Sequence, residues 1–476
     1  MKHIIFDFDG VLVDSCDLHW RALNDALVAV FPAAVISHED NVATFNGLTT
    51  RKKLEMLHER AGLPTELFEV VFAEKQRRTL EEYGKLWPDA ELRGVLQWLR
   101  TDGYALSCCS NSVRDTLDVA LRALGIYDMF DSIWGNTDVG RPKPAPDMYL
   151  AAMDAVGASP AETLIVEDSP IGLAGAYASG AYVHPVRRRA DVRVEDLRAS
   201  LAAAGTLPPY VRTLRPLPHG DDLTVVVPMA GLGSRFAEKG FKQLKPFIPV
   251  PCGSAAAAAA AAAATKPMIQ LVLENLRLDA DHVFIVREGV EAELRAVLEV
   301  TGRLARSRIV VIPSLTEGAA CTVLLAEPFF AGKRLLVINC DQMLEWDAEA
   351  FLTTAQVRGV DGLISTFTDD HPKWSFAATD SGGRRVTRVA EKEPISDHAT
   401  TGIYYWRNGS DYAAYTRQMI AKNIRVKNEF YVCPVYNEAI EDGKCVEICD
   451  CAAMWGIGVP EDLETFIASF PYRHLL

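Results

Sequence analysis

Short apolar runs of strand type alternate with segments of helical period, and the alternation occurs twice, on either side of a proline-rich break. The first series comprises His3–Phe6, Tyr104–Cys109, Thr163–Val166 and Ala181–His184; the second starts at Leu223–Val227 and runs on to the last residues. Strands separated by helical crossovers predict a parallel α/β sheet. At about 100–200 residues per domain, the 476 residues leave room for two or three domains. One block interrupts the first alternation: from about Leu18 to Tyr83 the period is helical with no clear strand, which predicts a helical insertion over about 16–88 in a first domain of residues 1–186. Residues 187–222 hold Arg187-Arg188-Arg189, Leu207-Pro208-Pro209 and Arg215-Pro216-Leu217-Pro218-His219 around one short helical piece at Glu195–Ala203, and predict a linker. A second domain then covers residues 223–476. Ten consecutive alanines, Ala255–Ala264, read as a placeholder for unassigned side chains or an engineered loop rather than as native text.

Apolar residues at 49% and charged residues at 24% exclude wholesale disorder and collagen-like repeats. A net charge of −14 repels phosphate backbones and excludes nucleic acid as a main partner, while local basic clusters can still hold small anions. Ten cysteines are too sparse for a disulfide framework, and Cys108–Cys109 and Cys449-Asp450-Cys451 lack zinc-ribbon spacing; reduced, mostly buried thiols are expected. MKHIIFDFDG reaches acidic residues after three apolar ones, unlike a secretory signal, and no run of about 18 apolar residues spans a membrane. The expectation is a soluble cytoplasmic protein, with a homo-oligomer allowed.

Phe6-Asp7-Phe8-Asp9-Gly10-Val11 places two carboxylates two apart where an apolar strand ends in a glycine turn. Such a pair points one way and can divide labour between nucleophile and general acid/base, although a chance strand-end turn has the same form. Three further pieces follow in order: Ser110-Asn111-Ser112 after one strand, Lys143 in Arg141-Pro142-Lys143-Pro144, and Glu167-Asp168-Ser169 after another. They offer phosphate donors, a fixed positive charge and hard oxygen ligands for Mg²⁺, gathered where ligands collect in open α/β sheets. Together these motifs resemble the haloacid dehalogenase superfamily over residues 1–186, which implies a Rossmann-like fold with a helical cap. The resemblance implies that Asp7 attacks phosphorus and forms an aspartyl-phosphate, and that Asp9 protonates the leaving oxygen and then activates water. It further implies that Ser110, Asn111 and Lys143 hold the phosphoryl group, and that Asp7, Asp168 and the Asp9 carbonyl bind Mg²⁺ with Glu167 nearby. His19 resembles a cap-hinge histidine of the β-phosphoglucomutase-like subgroup, or is simply a helix-face histidine. That subgroup carries an arginine three residues after the cap glycine; after Gly47 this position is Thr50, with Arg51 one step later, which favours phosphatase over mutase.

In the second half the strand Leu223–Val227 leads into Pro228-Met229-Ala230-Gly231-Leu232-Gly233-Ser234-Arg235-Phe236. Glycines after a strand admit phosphates to backbone N–H groups, and Arg235 can grip them bidentately. The run lacks a Walker ending and the third dinucleotide glycine. Lys245-Pro246-Phe247-Ile248 and Lys266-Pro267-Met268-Ile269 follow. With the alanines set aside, this text resembles the sugar-phosphate nucleotidyltransferases, the NDP-sugar pyrophosphorylases built on one mixed, GT-A-like sheet. The likeness implies that Ala230, Gly231, Gly233 and Ser234 hold phosphates, that Glu317 and Gly318 lie in the base-contacting loop, and that Asp341 binds metal. It also implies that Lys392 (after Glu391) holds the sugar phosphate, that Gly402 lies in the sugar-side strand, and that Arg235 and Lys245 stabilise the triphosphate. One departure is plain: the family's second metal aspartate, just after a tryptophan, is missing, because Trp455 is followed by Gly456-Ile457-Gly458. Glu429 or Asp450 can substitute, or one carboxylate suffices.

The expected function is a bifunctional, Mg²⁺-dependent enzyme of activated-sugar or polyol synthesis for a capsule or other surface glycan. One half would be a phosphatase on a sugar or polyol phosphate, and the other would transfer a nucleotidyl group from an NTP to a sugar phosphate and release pyrophosphate. The alternatives are a phosphomutase–nucleotidyltransferase fusion, or a nucleotide-sugar sensor whose transferase half is inactive.

Overall fold

The first strand, β1 (His3–Phe6), buries all four side chains, so both of its faces are covered. A strand inside a parallel sheet requires this. Around it lie β2 (Ala105–Cys109), β3 (Ser132–Trp134), β4 (Thr163–Glu167) and β5 (Tyr182–Pro185), in the all-parallel order β3-β2-β1-β4-β5. Alternation along β1 sends Ile4 and Phe6 into one core, with Leu96, Leu99 and Leu117, and Ile5 into another, with Met148, Tyr149 and Leu173. The structure, a computed structural model, describes residues 1–45, 48–231, 233–253 and 264–475. Gly47, Leu232 and nine of the ten alanines, 255–263, lie outside the described residues.

The chain divides into two units, Met1–Leu217 and Pro218–Leu476. Between β1 and the helix Ala90–Thr101 the first unit carries helices Cys16–Val30, Thr50–Ala61 and Phe68–Tyr83. Leu23, Leu27, Phe45, Leu54, Leu57 and Val71 give this insertion a core of its own. The stretch 187–222, expected as a linker, is shared out between the units. Val192, Leu197 and Leu214 pack into the first unit's core, and Val183 bridges to Thr213. Pro218 bridges to Asp279, and His219 Nε2 hydrogen-bonds with Glu349 Oε2 at 3.0 Å inside the second unit. The prolines there mark turns between anchored apolar residues.

The second unit supplies β6 (Leu223–Pro228), β7 (Pro249–Pro251), β8 (Thr265–Pro267), β9 (Asp281–Arg287), β10 (Ser307–Ile312), β11 (Arg334–Ile338), β12 (Gln342–Glu345), β13 (Gly362–Thr368), β14 (Ser375–Thr379), β15 (Val386–Glu391), β16 (His398–Trp406), β17 (Val446–Asp450) and β18 (Ala453–Gly456). Nine of them form one sheet in the order β10-β9-β6-β11-β16-β13-β17, with β14 and β15 paired off that path. β16 runs antiparallel to both β11 and β13, whereas the pairs β10–β9, β9–β6, β6–β11 and β13–β17 are parallel, so the sheet is mixed. Two ribbons, β7–β8 and β12–β18, stand beside it.

Candidate active sites

In the first unit the strands are apolar and the chemistry begins where they end. Lys143, in the loop after β3, reaches back to the end of β1, where Nζ donates to Asp7 Oδ1 at 2.7 Å, to Glu167 Oε1 at 2.8 Å and to the Cys109 carbonyl at 2.8 Å. The Lys143 side chain is 2% exposed and that of Glu167 is fully buried, so the cluster is almost fully desolvated. Glu167 is held on all sides: Tyr149 donates to Oε1 at 3.1 Å, and the N–H groups of Asp168 and Ser169 donate to Oε2 at 2.7 and 2.9 Å. Gly10 sits at φ 86°, and a Cβ there would lie 2.0 Å from Asp168 Oδ2. Only glycine allows the turn after β1 to come so close to that carboxylate.

Oxygens of Asp7, Glu167 and Asp168 lie within 4.8 Å of one another. Burial, and after it the Glu167 charge, pushes the carboxyls of Asp7 and Asp168 well above the ordinary carboxylate range. Asp168 Oδ1 is buried with no hydrogen-bond partner. Crowded hard oxygens with an orphaned acceptor fit a small divalent cation.

Asp9, two residues on, meets the helical insertion. Its Oδ1 accepts from His19 Nε2 at 2.9 Å, from the Tyr83 hydroxyl at 2.8 Å and from Ser15 Oγ. Its Oδ2 accepts from Ser112 Oγ at 2.8 Å and Ser110 Oγ at 3.2 Å. Burial opposes the charge on Asp9, but His19, Ser15 and Tyr83 outweigh it and hold this carboxyl well below the usual range. Burial and then Lys75 lower the pKa of His19. Its Nδ1 lies 3.1 Å from Lys75 Nζ and its Nε2 faces Asp9 at 2.9 Å. Asn111 braces the Lys143 loop, accepting from the Lys143 N–H at 3.0 Å and donating to its carbonyl at 3.1 Å. All of these but Tyr83, which is buried behind them, line one small cavity with Thr50, Lys53 and Lys75 from the insertion. Lys53 has no ion-pair partner among the described residues, and burial lowers its pKa. Arg51 instead pairs with Glu69 on the surface at 2.6 Å.

In the second unit a cavity of about 460 Å³ gathers Arg235, Lys245, Asp341, Lys392 and Gly402. Lys245 Nζ ion-pairs with Asp341; burial opposes the charge on Lys245, but Asp341 raises its pKa. The Lys392 ammonium lies 4.0 Å over the Tyr431 ring, donates to its hydroxyl and stands 3.5 Å from Glu391. Ala230 is buried after β6, and Gly231, Gly233 and Ser234 lead into the helix Ser234–Glu238, which brings Arg235 to the cavity. Glu317 and Gly318 do not line it: the Glu317 carboxylate pairs with Arg425, and the Phe430 N–H donates to the Glu317 carbonyl at 2.9 Å. Glu429 and Asp450 do not line it either, and Asp450 instead accepts from Thr366 Oγ1 at 2.6 Å. Asp462 does, with Lys373 Nζ at 3.0 and 3.1 Å from its two oxygens. No cluster of three metal-ligating side chains occurs in this unit among the described residues.

Residues 4–186 match the haloacid dehalogenase-like hydrolase family, and residues 251–443 match the nucleotidyl transferase family. The chain fuses a haloacid dehalogenase-like hydrolase domain to a nucleotidyl transferase domain. Protein CbbY of Rhodobacter capsulatus is 28% identical over 222 residues, 43% of this chain and 97% of its own length. The β-phosphoglucomutase of Bacillus subtilis is 27% identical over 192 residues, 38% of this chain and 81% of its own. A nucleoside-diphosphate-sugar pyrophosphorylase structure from Vibrio cholerae RC9 is 24% identical with a TM-score of 0.44, covering 52% of this chain and 100% of that one. Among the described residues no helix is long and apolar enough to cross a membrane.

In the hydrolase domain, motif spacing does not single out Ser15, Lys75 or Tyr83. The available signal is periodic: Val71, Lys75, Thr79 and Tyr83 recur every four residues and form the buried face of their helix. Polar residues on such a face have to meet polar partners. In the transferase domain Gln342, Lys427, Tyr431 and Asp462 line the cavity without any local motif to announce them.

Proposed function

We propose that the chain is a bifunctional enzyme of nucleotide-activated sugar or polyol synthesis. A phosphatase on a sugar or polyol phosphate occupies residues 1–186, and a nucleotidyltransferase that releases pyrophosphate occupies 223–476. The observation that carries this reading is the desolvated Lys143–Asp7–Glu167 cluster beside an Asp9 gripped by five side-chain donors. Asp7 Oδ attacks phosphorus as the bond to the leaving oxygen breaks; Asp9, ionised in the free enzyme, takes the proton of the bound phosphate-ester monoanion and passes it to that oxygen, and its carboxylate then takes a proton from the water that cleaves the acyl-phosphate. Lys143 and Ser110 hold phosphoryl oxygens in a water-poor site, where fixed positive charge is worth most. Mg²⁺, held by Asp7, Asp168 and the Asp9 carbonyl, would add charge neutralisation there. Glu167, with both oxygens engaged, positions Lys143 and the Asp168 turn. Thr50 at the cavity, with Arg51 turned to Glu69, supports phosphatase over mutase.

In the transferase domain, Arg235 and Lys245 hold the triphosphate and Lys392 holds the acceptor phosphate, whose oxygen attacks the α-phosphorus as pyrophosphate leaves. Asp341 would hold Mg²⁺ once the incoming triphosphate draws Lys245 away from it. Ten free cysteines suit a reducing cytoplasm, and a product destined for a capsule or surface glycan fits the pairing of the two reactions. Two variants test the division of labour. Asp7→Asn is expected to abolish phosphate release and spare pyrophosphate release, and Lys245→Ala to do the reverse. Equal loss of both activities in either variant would overturn the two-site reading.

A further inference from the structure

Arg187-Arg188-Arg189 opens the stretch that the sequence marks as a linker, yet the third arginine is buried in the first unit, 9% exposed. It starts a tight turn, Arg189–Asp191, just past β5. That turn is anchored on both sides: the Val186 N–H donates to the Glu167 carbonyl at 2.9 Å, and Val192 packs into the core. From there Arg189 reaches the helical insertion at both of its connections to the sheet. Its N–H donates to Asp14 Oδ1 at 3.1 Å, in the stretch that leads from the Gly10 turn into the helix Cys16–Val30. Its guanidinium Nη2 donates to Asp89 Oδ2 at 3.0 Å, in the stretch that returns from the helix Phe68–Tyr83 to the helix Ala90–Thr101. Asp89 is the one acid that pairs with this guanidinium among the described residues. Its other oxygen caps the helix that follows, accepting from the Leu92 N–H at 2.8 Å. With side chains 10% and 30% exposed, the Arg189–Asp89 pair is shielded enough from water to hold better than an ordinary surface ion pair.

Two of the groups that grip Asp9 stand beside these clamped points. Ser15 directly follows Asp14, and Tyr83 closes its helix shortly before Asp89. Ser110 and Lys143, by contrast, come from loops after β2 and β3, outside the insertion. We propose that Arg189 is a positioning residue for phosphoryl transfer: by tying the exit and the return of the insertion to one turn beside the sheet, it keeps Ser15 and Tyr83 on Asp9. The inference rests on the phosphatase reading above and adds to it a residue that touches neither substrate nor the reacting atoms. Loss of the clamp loosens the grip on Asp9 and slows proton transfer, while the groups that bind the phosphoryl oxygens stay in place.

Phosphate release by the full-length chain is measured well below its melting temperature with p-nitrophenyl phosphate, glucose 6-phosphate and ribitol 5-phosphate. Arg189→Ala is expected to lower kcat about tenfold with KM moving less than about twofold, the pattern of an interaction realised in the transition state. Arg189→Lys keeps the charge and is expected to restore most of kcat. Asp89→Asn leaves one oxygen to cap the helix and removes the acceptor of Arg189, so it is expected to match Arg189→Ala. Adding Tyr83→Phe to Arg189→Ala is expected to cost less than about threefold further, well short of its effect in the wild type, because the hydroxyl has already drifted from Asp9. Amide hydrogen exchange, which needs no substrate, is expected to quicken at residues 11–15 and 84–89 in Arg189→Ala and Asp89→Asn and to stay unchanged in β1, β2 and β4. Unchanged kcat, a raised KM with kcat unmoved, full multiplication of the Arg189 and Tyr83 losses, or unchanged exchange at both connections would overturn the role of Arg189. Absence of phosphate release from the wild type with every ester would instead overturn the phosphatase reading, and the exchange rates would still decide whether Arg189 holds the insertion.

Discussion

Replacing Lys143 by methionine tests how the hydrolase site is held together. The substitution keeps most of the side-chain volume and removes one charge from a place where the lysine is 2% exposed, Asp7 8% and Glu167 0%. Taking away one partner of a buried ion cluster leaves uncompensated charge, which costs about 3–5 kcal/mol. The first unit runs from Met1 to Leu217; at about 2.1 cal/mol/K of unfolding entropy per residue, that cost lowers its melting temperature by roughly 7–11 °C. Scanning calorimetry in EDTA, with full-length wild type and K143M at one pH, reads the shift in the hydrolase transition. Adding Asp7→Asn removes one of the stranded carboxylates, so the double variant is expected to recover about 1–3 kcal/mol relative to the sum of the singles. A shift of under 2 °C, or strict additivity in the double variant, would refute the view that Lys143 neutralises this cluster.

Tyr83→Phe leaves the ring in the core and removes one donor to Asp9, and phosphate release is expected to fall about tenfold with little change in KM for the phosphate ester. In the transferase domain, Tyr431→Leu takes away both the ring and the hydroxyl that hold the Lys392 ammonium. The acceptor KM is expected to rise about tenfold while the NTP KM stays put, and equal changes in both would count against this assignment. Burial, aided by neighbouring arginines, lowers the pKa of His184 to about 4 and that of His282 to about 3. Both folded values lie below the unfolded value of about 6.5, so the unfolded chain takes up protons first and stability falls as pH drops from about 6.5 towards 4. Thermal melts across that range are expected to show the loss, and His282→Leu to flatten it in the second unit; a slope unaffected by that change would point to other groups.

The α/β class is legible because strand and helix periods differ, and the paired carboxylates are legible because residues two apart at a strand end share a direction. Asp7, Asp9, Lys143 and Asp168 thus stand out locally even though Lys143 is 136 residues from its partner. The grip on Asp9 from Ser15, His19 and Tyr83 depends on how the insertion folds over the strand ends; His19 is hinted at by resemblance and Tyr83 by the four-residue spacing on its helix, while nothing local marks Ser15. The antiparallel entry of β16 between β11 and β13 is a non-local pairing that leaves no mark on the strand's own composition. Residues 187–217 show the opposite hazard, because proline-rich text hides the anchoring apolar positions Val192, Leu197 and Leu214.

The central place of β1 in its sheet has a price at the ribosome. This strand emerges about 100 residues ahead of β2 and about 160 ahead of β4, its two lateral neighbours. At about 5–20 residues per second, its four buried side chains wait roughly 8–30 s for cover on both edges. Nascent hydrolase domains therefore hold an unpaired apolar strand for most of their synthesis.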